Sequence, residues 1–527
     1  MPIKSGIRQS DSGKPPRLLT RIETMNLTQV NVQRIGALLC TCTISTYVFY
    51  EWMLKQNASK KSHPKPPAAW ATHEFAHAYL ADKRHTKRLQ MIATAFAQQP
   101  TASIPEACGT LAEVKATYRF VENDAIVAAA IREPHHTATL QRVSLHPVIL
   151  AVQDTTSLNY STHPCTEGLG PICHSSKSIG LLVHSTLAIT PTGQPLGFLH
   201  NAVRARNPRA RVSSREGRQL ADKESYKWIE SLEACQAVAP LCSQTTLVNI
   251  TDREGDLYDL FVQALKVPDE SRVELLVRAH HERRLLDESK TLWEQVAAQS
   301  VAATLQVRVG RRGDQPSRVA ELNIRFCAVQ LRAPKRKSKQ PSLQLWAIEA
   351  REMNPPKSTT PILWRLLTTL PITSAAEAIE KVRWYSQRWQ IEVIHKVLKS
   401  GCQVEQRQLQ TAERLERALS IDLVVAWRVL ALCKAGRELP DDPISDWLSD
   451  AQWQALWSYV HQRTTVPKTS PTVRQAVRWI AQLGGFLGRK SDGEPGTTTL
   501  WRGLQHLDAM TNMWELCHST NGGPKCG

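Results

Sequence analysis

Two short apolar runs, each followed by an aspartate, constrain the fold of this chain more than any other feature. The run at residues 148–152 is typical of a strand buried on both faces, and Asp154 follows it after one residue. A second β-rich run at 246–251 leads directly into Asp252, and a helix is predicted over 256–265. Because the carboxyl ends of strands line one crevice in an open α/β sheet, we expect both aspartates there. Either one alone would also suit a helix cap or a turn.

The segment WYSQRWQIEVIHKVLKSG, at residues 384–401, carries a single acid among several cations. At 3.6 residues per turn, one helical stripe carries Tyr385, Arg388, Glu392, Lys396 and Lys399, with Trp389 and His395 beside it. A solvated helix face usually mixes acids and bases in comparable numbers. A lone carboxylate among cations instead favours a metal-binding acid whose neighbours hold phosphates. The alternative is an ordinary amphipathic helix with an i,i+4 pair between Glu392 and Lys396.

Taken together, three distant acids offer a set of oxygen ligands. Asp154, Asp252 and Glu392 would bind two hard divalent cations and leave coordination positions for phosphate and water. Asp256 and Asp259, one turn beyond Asp252, are better interpreted as cap or turn residues.

The order of these motifs resembles the DDE transposases of bacterial insertion sequences, and more narrowly the IS-four family. The family signature Y-x(2)-R-x(3)-E-x(6)-K is matched at Tyr385, Arg388, Glu392 and Lys399. Other blocks agree in order, among them LADKRHTKRL at 80–89, DTTSLNYS at 154–161 and LGGFLGRKSDGEPG at 483–496. The similarity therefore covers most of the chain, from about residue 70 to about residue 510.

The resemblance implies cut-and-paste transposition of an insertion sequence by phosphodiester hydrolysis and strand transfer, through a hairpin intermediate. Asp154, Asp252 and Glu392 would be the catalytic residues and the ligands of two Mg²⁺ ions, for which Mn²⁺ would substitute. The partners would be double-stranded DNA, both transposon ends and target, and a second copy of the chain in a synaptic homodimer.

Several side chains near these acids are expected to contact DNA. The predicted phosphate-binding residues are Tyr385, Arg388, Lys396 and Lys399. Trp364 and Trp389 are predicted to stack against a flipped base, since an aromatic surface offsets the cost of extruding it. For Trp364, packing in the core is the alternative.

The expected fold class is α/β, with an RNase H-like catalytic core, a β-rich insertion and flanking helical domains. The predicted core strands lie at 148–152, 181–189, 195–203, 246–251 and 273–277, with helices at 217–237 and 256–265. The expected domains are a helical end-binding domain at 68–140, the catalytic domain at 141–410 with the insertion at 280–372, and a helical, dimerising domain at 411–527.

Charge supports a polyanionic partner. Lysine and arginine total 66 against 48 aspartate and glutamate, a net charge of +18 that favours fast, salt-sensitive association with nucleic acid. Basic residues recur at helical spacing after residue 82, and a basic segment at 332–340 is expected to be solvated. By the resemblance, Arg88 and Arg119 would contact the transposon end.

Residues 1–67 are expected to be an extension, either disordered or upstream of a true start near Met53. The apolar run at 35–50 is short for a membrane span, and an anchor there is the alternative. The twelve cysteines have no paired CxxC spacing, which indicates reduced thiols. A cytoplasmic, nucleoid-associated protein without a membrane partner is therefore expected.

Two other functions remain open at this point. An RNase H-like nuclease could cut without strand transfer, although Trp364 and the basic N-terminal helices argue against it. An inactive end-binding regulator is the second alternative, and the intact acidic triad argues against that.

Overall fold

The structure, a computed structural model, describes residues 68–80, 82–173, 177–207, 224–287, 289–309, 318–357 and 359–518. The extension expected at residues 1–67 lies outside these ranges. No helix within them is long and apolar enough to cross a membrane.

Short helices precede the sheet. They are α1 (Ala69–Glu74), α2 (Lys83–Gln98), α3 (Ile104–Cys108), α4 (Leu111–Glu122) and α5 (Ala128–Val143). The Asp82 carboxylate caps α2 by accepting the Arg84 N–H at 2.8 Å, and the Ser103 and Glu106 side chains cap α3 reciprocally. These caps satisfy N–H groups that the first turn of a helix leaves unpaired.

One sheet runs through the middle of the described chain. Its strands are β1 (Val148–Asn159), β2 (Gly170–Pro171), β3 (Ile179–Ile189), β4 (Pro195–Arg204), β5 (Thr246–Thr251), β6 (Glu274–Arg278), β7 (Ala303–Val309), β8 (Arg318–Leu331), β9 (Leu343–Glu352) and β10 (Leu363–Thr368). Their order is β2-β3-β1-β5-β6-β10-β9-β8-β7, with β4 paired to β3. Strands β1, β5 and β6 are parallel, whereas β3 and β4 are antiparallel to their neighbours. Strands β1, β3, β4, β5 and β6 each begin within two residues of the five runs predicted for the RNase H-like core.

The core lies on both faces of β1, as its uninterrupted apolar run predicted. Ile149 and Ala151 belong to a buried cluster with Trp228 and Phe261, which lie on helices α6 (Tyr226–Val238) and α7 (Tyr258–Lys266). The alternate residue Leu150 belongs to a second cluster on the other face. Successive side chains of a strand point to opposite faces, so an all-apolar run requires cover on both.

The strands of the predicted insertion extend the core sheet instead of forming a separate layer. Strand β10 pairs antiparallel with the core strand β6, and β9, β8 and β7 follow outward in turn. A short helix that the sequence did not indicate, α8 (Leu292–Ala297), packs against β8 and β9. The consequence for the site is that Trp364, on β10, has a fixed position in the sheet.

The remaining helices are α9 (Ala375–Ser386), α10 (Gln390–Lys396), α11 (Ala412–Glu438), α12 (Asp450–His461), α13 (Val473–Leu483) and α14 (Thr497–His518). Helix α11 lies in the region predicted to be helical, and it is buried along most of its length. It packs against α2 and α5, which precede the sheet, against β4, and against α13 in the C-terminal region. A helix surrounded in this way is apolar on nearly every side.

Candidate active site

Asp154 and Asp252 occupy equivalent positions on neighbouring parallel strands. The parallel pairing of β1 with β5 ends at Val152 opposite Ile250, and each aspartate lies two residues beyond that pair. Asp154 is not at the end of its strand, as the apolar run had suggested, because β1 continues to Asn159 through its pairing with β3. Both carboxylates nevertheless lie at the same edge of the parallel sheet, where β5 has ended.

Asp252 also has a structural role. It is the N-cap of a 3₁₀ turn at Arg253–Gly255, and its Oδ1 accepts the Glu254 N–H at 2.8 Å. The cap interpretation is therefore confirmed for this residue. One oxygen serves the turn, and within the described chain Oδ2 has no hydrogen bond.

The guanidinium of Arg388 joins the first and third acids. Its Nη1 lies 3.5 Å from Asp154 Oδ2, and its Nη2 donates to Glu392 Oε1. The Glu392 side chain is 57% exposed, whereas that of Asp154 is 19% exposed. Arg388 therefore balances charge on a strand and a helix at once.

The three acids share one electrostatic environment. The pKa of Asp154 is raised to about 6, chiefly by burial and in part by the negative charges of Asp252 and Glu392. The Thr155 N–H and Arg388 act in the opposite direction. A carboxyl group with a raised pKa beside two other acids marks a local excess of negative charge.

The donor chemistry of this cluster suits a hard divalent cation, because all three side chains offer carboxylate oxygens. Within the described ranges, no three His, Cys, Asp or Glu side chains are placed to hold an ion as they stand. Arg388 is the cation that engages Asp154 and Glu392 in this arrangement.

The regular helix expected across residues 384–401 is interrupted. Helix α9 ends at Ser386, a 3₁₀ turn spans Gln387–Trp389, and α10 is followed by a π-helical turn at Val397–Gly401. Gly401 ends this segment against Trp501, whose ring would lie 3.1 Å from any added Cβ. The predicted stripe therefore does not share one environment, and Tyr385 is buried while Glu392 and Lys396 are exposed.

A cleft of about 1340 Å³ opens beside Glu392. It lies between β7, the segment that joins β9 to β10, and helices α9 and α10. The arginines that line it are Arg253, Arg278, Arg308, Arg351, Arg383 and Arg388, against the acids Glu352 and Glu392. Except for Arg388, the sequence interpretation missed these arginines. Arg253 could have been found, because it directly follows Asp252; the others are scattered over the chain.

Two predicted stacking residues line the same cleft. The ring of Trp364 meets that of Tyr385 edge-on, with centroids 5.5 Å apart and an interplanar angle of 68°. The Tyr385 hydroxyl is buried and has no hydrogen-bond partner within the described chain. Burial raises the pKa of Tyr385, and Arg278 and Arg388 oppose that rise. Trp389 is 47% exposed, with the Lys434 ammonium 5.2 Å from its ring centroid.

Two aspartates near Asp252 are engaged elsewhere. Asp256 is a buried ion-pair partner of Arg283 and accepts the N–H groups of His280 and His281 at 2.7 and 2.9 Å. It is therefore more than the turn residue expected. Asp259 pairs with Lys337, which ties the basic segment at 332–340 to α7, so this segment is not simply solvated as predicted.

Three family models match the chain. They are a transposase DNA-binding model at residues 67–126, a transposase DDE domain at 217–427 and a Tn5 transposase dimerisation domain at 424–520. The chain belongs to the Tn5-like DDE transposases of the IS-four type. It is thus a DNA transposase, of a family that cuts and transfers DNA strands with divalent metal ions. The DDE model covers Asp252 and Glu392, while Asp154 lies before its start.

Among solved structures, the transposase is similar to a piggyBac transposase in a synaptic complex with hairpin DNA. The identity is 8%, the match covers 90% of this chain and 79% of that chain, and the TM-score is 0.33. A likeness at that level carries no argument about this site.

Arg88 and Arg119 lie on α2 and α4 of the transposase, within the region that the DNA-binding model matches. Arg88 is half-buried and Arg119 is exposed, and neither lines the cleft. Lys396 and Lys399 also lie outside the cleft lining. The cleft brings together Glu392, Tyr385, Arg388 and the two tryptophans, but not these four cations. Asp154 and Asp252 do not line the cleft, and Asp154 is connected to it through Arg388.

Proposed function

We propose that this transposase excises and inserts its element by a cut-and-paste reaction at a site formed by Asp154, Asp252 and Glu392. The observation that carries the proposal is the pKa of Asp154, which burial and the charges of the other two acids raise to about 6. Carboxylates from two strands and a helix thus act on one another although they are far apart in the chain. Carboxyl groups whose pKa values are shifted by burial and by neighbouring charges cluster at functional sites.

The same three residues would hold two Mg²⁺ ions, with Mn²⁺ able to substitute. Their oxygens are the ligands that both metals prefer. When bound, the ions would activate the attacking hydroxyl and stabilise the departing 3′-oxygen. Arg388, once released from Asp154 and Glu392, would direct its planar fork to a phosphate, a geometry that guanidinium groups match well.

The arginine-lined cleft would receive the transposon end. Six guanidinium groups against two acids make a positive surface for the DNA backbone. Arg278 and Arg388 lie close enough to Tyr385 to oppose the rise of its pKa, and its hydroxyl would donate to a phosphate oxygen. Lys396 and Lys399 would neutralise phosphates outside the cleft.

Trp364 and Trp389 would stack against a base that leaves the duplex. Both rings line the cleft, and Trp389 has enough exposed surface to accept a partner. A flipped base near the cut would permit the tight bend of a hairpin intermediate, which we include in the proposed reaction.

Residues 68–140 would bind the transposon end, with Arg88 and Arg119 on phosphates, and residues 141–410 would form the catalytic domain.

Residues 411–527 would pair two copies in the synaptic complex. Helix α14 supports this assignment, because Leu500 and Leu507 are buried within the chain while Met513 and Leu516 are 61% and 72% exposed. Exposed apolar residues at the end of such a helix favour a protein partner.

Nicking of DNA that carries the element's terminal repeats tests the acidic site. Asp252→Asn and Glu392→Gln should abolish nicking in Mg²⁺ and leave binding to the ends intact in chelator. Asp441→Asn and Glu133→Gln serve as matched controls, since both residues are exposed and outside the cleft. Nicking that survives in either test variant would refute the assignment of the metal ligands.

A further inference from the structure

A hydrogen-bonded network of buried polar side chains lies on the face of the sheet opposite Asp154. His184 Nδ1 is 2.8 Å from Thr155 Oγ1, and His184 Nε2 is 2.9 Å from Gln153 Oε1. Gln153 Nε2 continues to Asn249 Oδ1 at 2.5 Å. This hydrogen-bonded network lies in the core and not on the surface, since the exposed fractions of His184, Gln153 and Asn249 are 3%, 0% and 0%.

The strand register explains why these groups meet. Thr155 and His184 are directly opposed in the antiparallel pair of β1 and β3, and Asn249 on β5 is opposed to Ala151. Gln153 and Thr155 are two residues apart on one strand, so both point to the same face of the sheet. Asp154 lies between them and points to the other face.

The direction of each hydrogen bond follows from one backbone carbonyl. Gln153 Nε2 also donates to the Trp228 carbonyl oxygen at 3.4 Å, and a carbonyl can only accept. The Gln153 oxygen therefore faces His184, and His184 Nε2 must carry the proton. Since burial and nearby cations lower the pKa of His184, its ring is neutral and Nδ1 accepts from the Thr155 hydroxyl.

Thr155 connects this hydrogen-bonded network to the proposed metal site. Its backbone N–H donates to Asp154 Oδ1 at 2.7 Å, so the orientation of the Thr155 peptide determines the orientation of the carboxylate. The hydroxyl of the same residue is held by His184, whose ring also packs edge-on against Trp228 at 4.9 Å. Rotation of Thr155 would break the bond to His184 and leave buried polar atoms unpaired, which is unfavourable.

We propose that His184 is a positioning residue of this transposase, which acts through the Thr155 hydroxyl to hold Asp154 in the orientation that binds a divalent ion. The inference rests on the proposed role of Asp154 as a metal ligand. Partners of this kind, one shell behind a ligand, commonly set metal affinity without touching the ion. The competing explanation is that His184 only fills the core.

Paired substitutions separate the two explanations. In His184→Asn the amide oxygen can take the place of Nδ1 and still accept from Thr155, whereas His184→Gln reaches only towards Gln153. Thr155→Val removes the hydroxyl at nearly constant shape, and Thr155→Ser restores it. Mn²⁺ binding to the full chain is measured by calorimetry without DNA, alongside the thermal unfolding temperature and end binding in chelator.

We expect Thr155→Val and His184→Gln to weaken Mn²⁺ binding about tenfold. Thr155→Ser and His184→Asn should recover most of that loss. End binding in chelator should not change. The inference is overturned if Thr155→Val binds Mn²⁺ as well as Thr155→Ser, or if the two His184 variants lose affinity equally and in step with their unfolding temperature.

Glu392→Gln, measured in the same way, distinguishes failure of this inference from failure of the proposed function. If that variant loses Mn²⁺ binding while Thr155→Val does not, only the role of His184 is wrong. If Glu392→Gln binds and nicks like the wild type, the metal site itself is wrong, and the role of His184 is overturned with it.

Discussion

Replacement of Asp154 by asparagine should stabilise the folded transposase at neutral pH. The carboxyl group is largely buried beside Asp252 and Glu392, and its pKa rises from 3.8 to about 6. Each unit of difference between folded and unfolded chains corresponds to roughly 1.4 kcal/mol. The ionised side chain therefore costs about 3 kcal/mol of folding free energy at pH 7.5. Asparagine has nearly the same shape and can still accept the Thr155 N–H, but it carries no charge.

The sign of the pH dependence follows from the raised pKa. Between pH 3.8 and about 6 the folded chain binds this proton more tightly than the unfolded chain. The group's contribution to stability is thus fully present below pH 3.8 and is lost as the pH rises through 6. Asp154→Asn should match the wild type near pH 4 and exceed it by about 3 kcal/mol at pH 7.5.

Urea unfolding of both proteins at the two pH values, in chelator, measures this difference. Asp441→Asn removes an exposed carboxylate and should change the free energy of unfolding at neither pH. An asparagine variant that is no more stable than the wild type at pH 7.5 would show that burial and the neighbouring acids do not disfavour the charge of Asp154. Equal stabilisation at both pH values would show that charge is not the cause.

Three further predictions concern cations and buried pairs. Arg388→Ala should raise the affinity of the DNA-free protein for Mn²⁺ in calorimetry, because Arg388 competes with the metal for Asp154 and Glu392. The same variant should nick DNA more slowly. An unchanged Mn²⁺ affinity would argue against that competition. Asp422→Asn should destabilise the protein by about 3–5 kcal/mol in urea unfolding, because it leaves Arg407 buried without its carboxylate; a loss below 1 kcal/mol would contradict this. Arg88→Ala should weaken end binding in a gel-shift titration and flatten its salt dependence, and an unaltered affinity would remove Arg88 from the end-binding surface.

Much of the core could be predicted because its signals are local. The apolar run before Asp154 required cover on both faces of one strand, and the two clusters that contain Ile149 and Leu150 provide it. The run before Asp252 coincides with β5. Both aspartates follow from these strands, since register between parallel neighbours places their ends together.

Features that depend on distant partners could not be read in the same way. The pairing of β10 with β6 joins residues about 90 positions apart, and no local pattern indicates it. The interruption of the helix at Gln387–Trp389 and again at Val397–Gly401 depends on packing, such as that of Trp501 on Gly401. In the sequence, a lone histidine on a strand, such as His184, cannot be distinguished from an ordinary core residue. Only the structure shows that it belongs to a hydrogen-bonded network of four side chains.

The electrostatics of the site indicate what the bound metal would do for the fold as well as for the reaction. Asp154 is held with its charge in an unfavourable place, and Arg388 offsets only part of that cost, because the pKa stays raised despite it. A divalent cation carries twice the charge of a guanidinium and would lower the same pKa further. Metal ions should therefore stabilise the wild-type transposase against urea more at pH 7.5 than at pH 4, where protons compete for the carboxylate. The Asp154→Asn variant, which is already relieved of the charge, should gain less, and an equal gain would place the ions elsewhere on the protein.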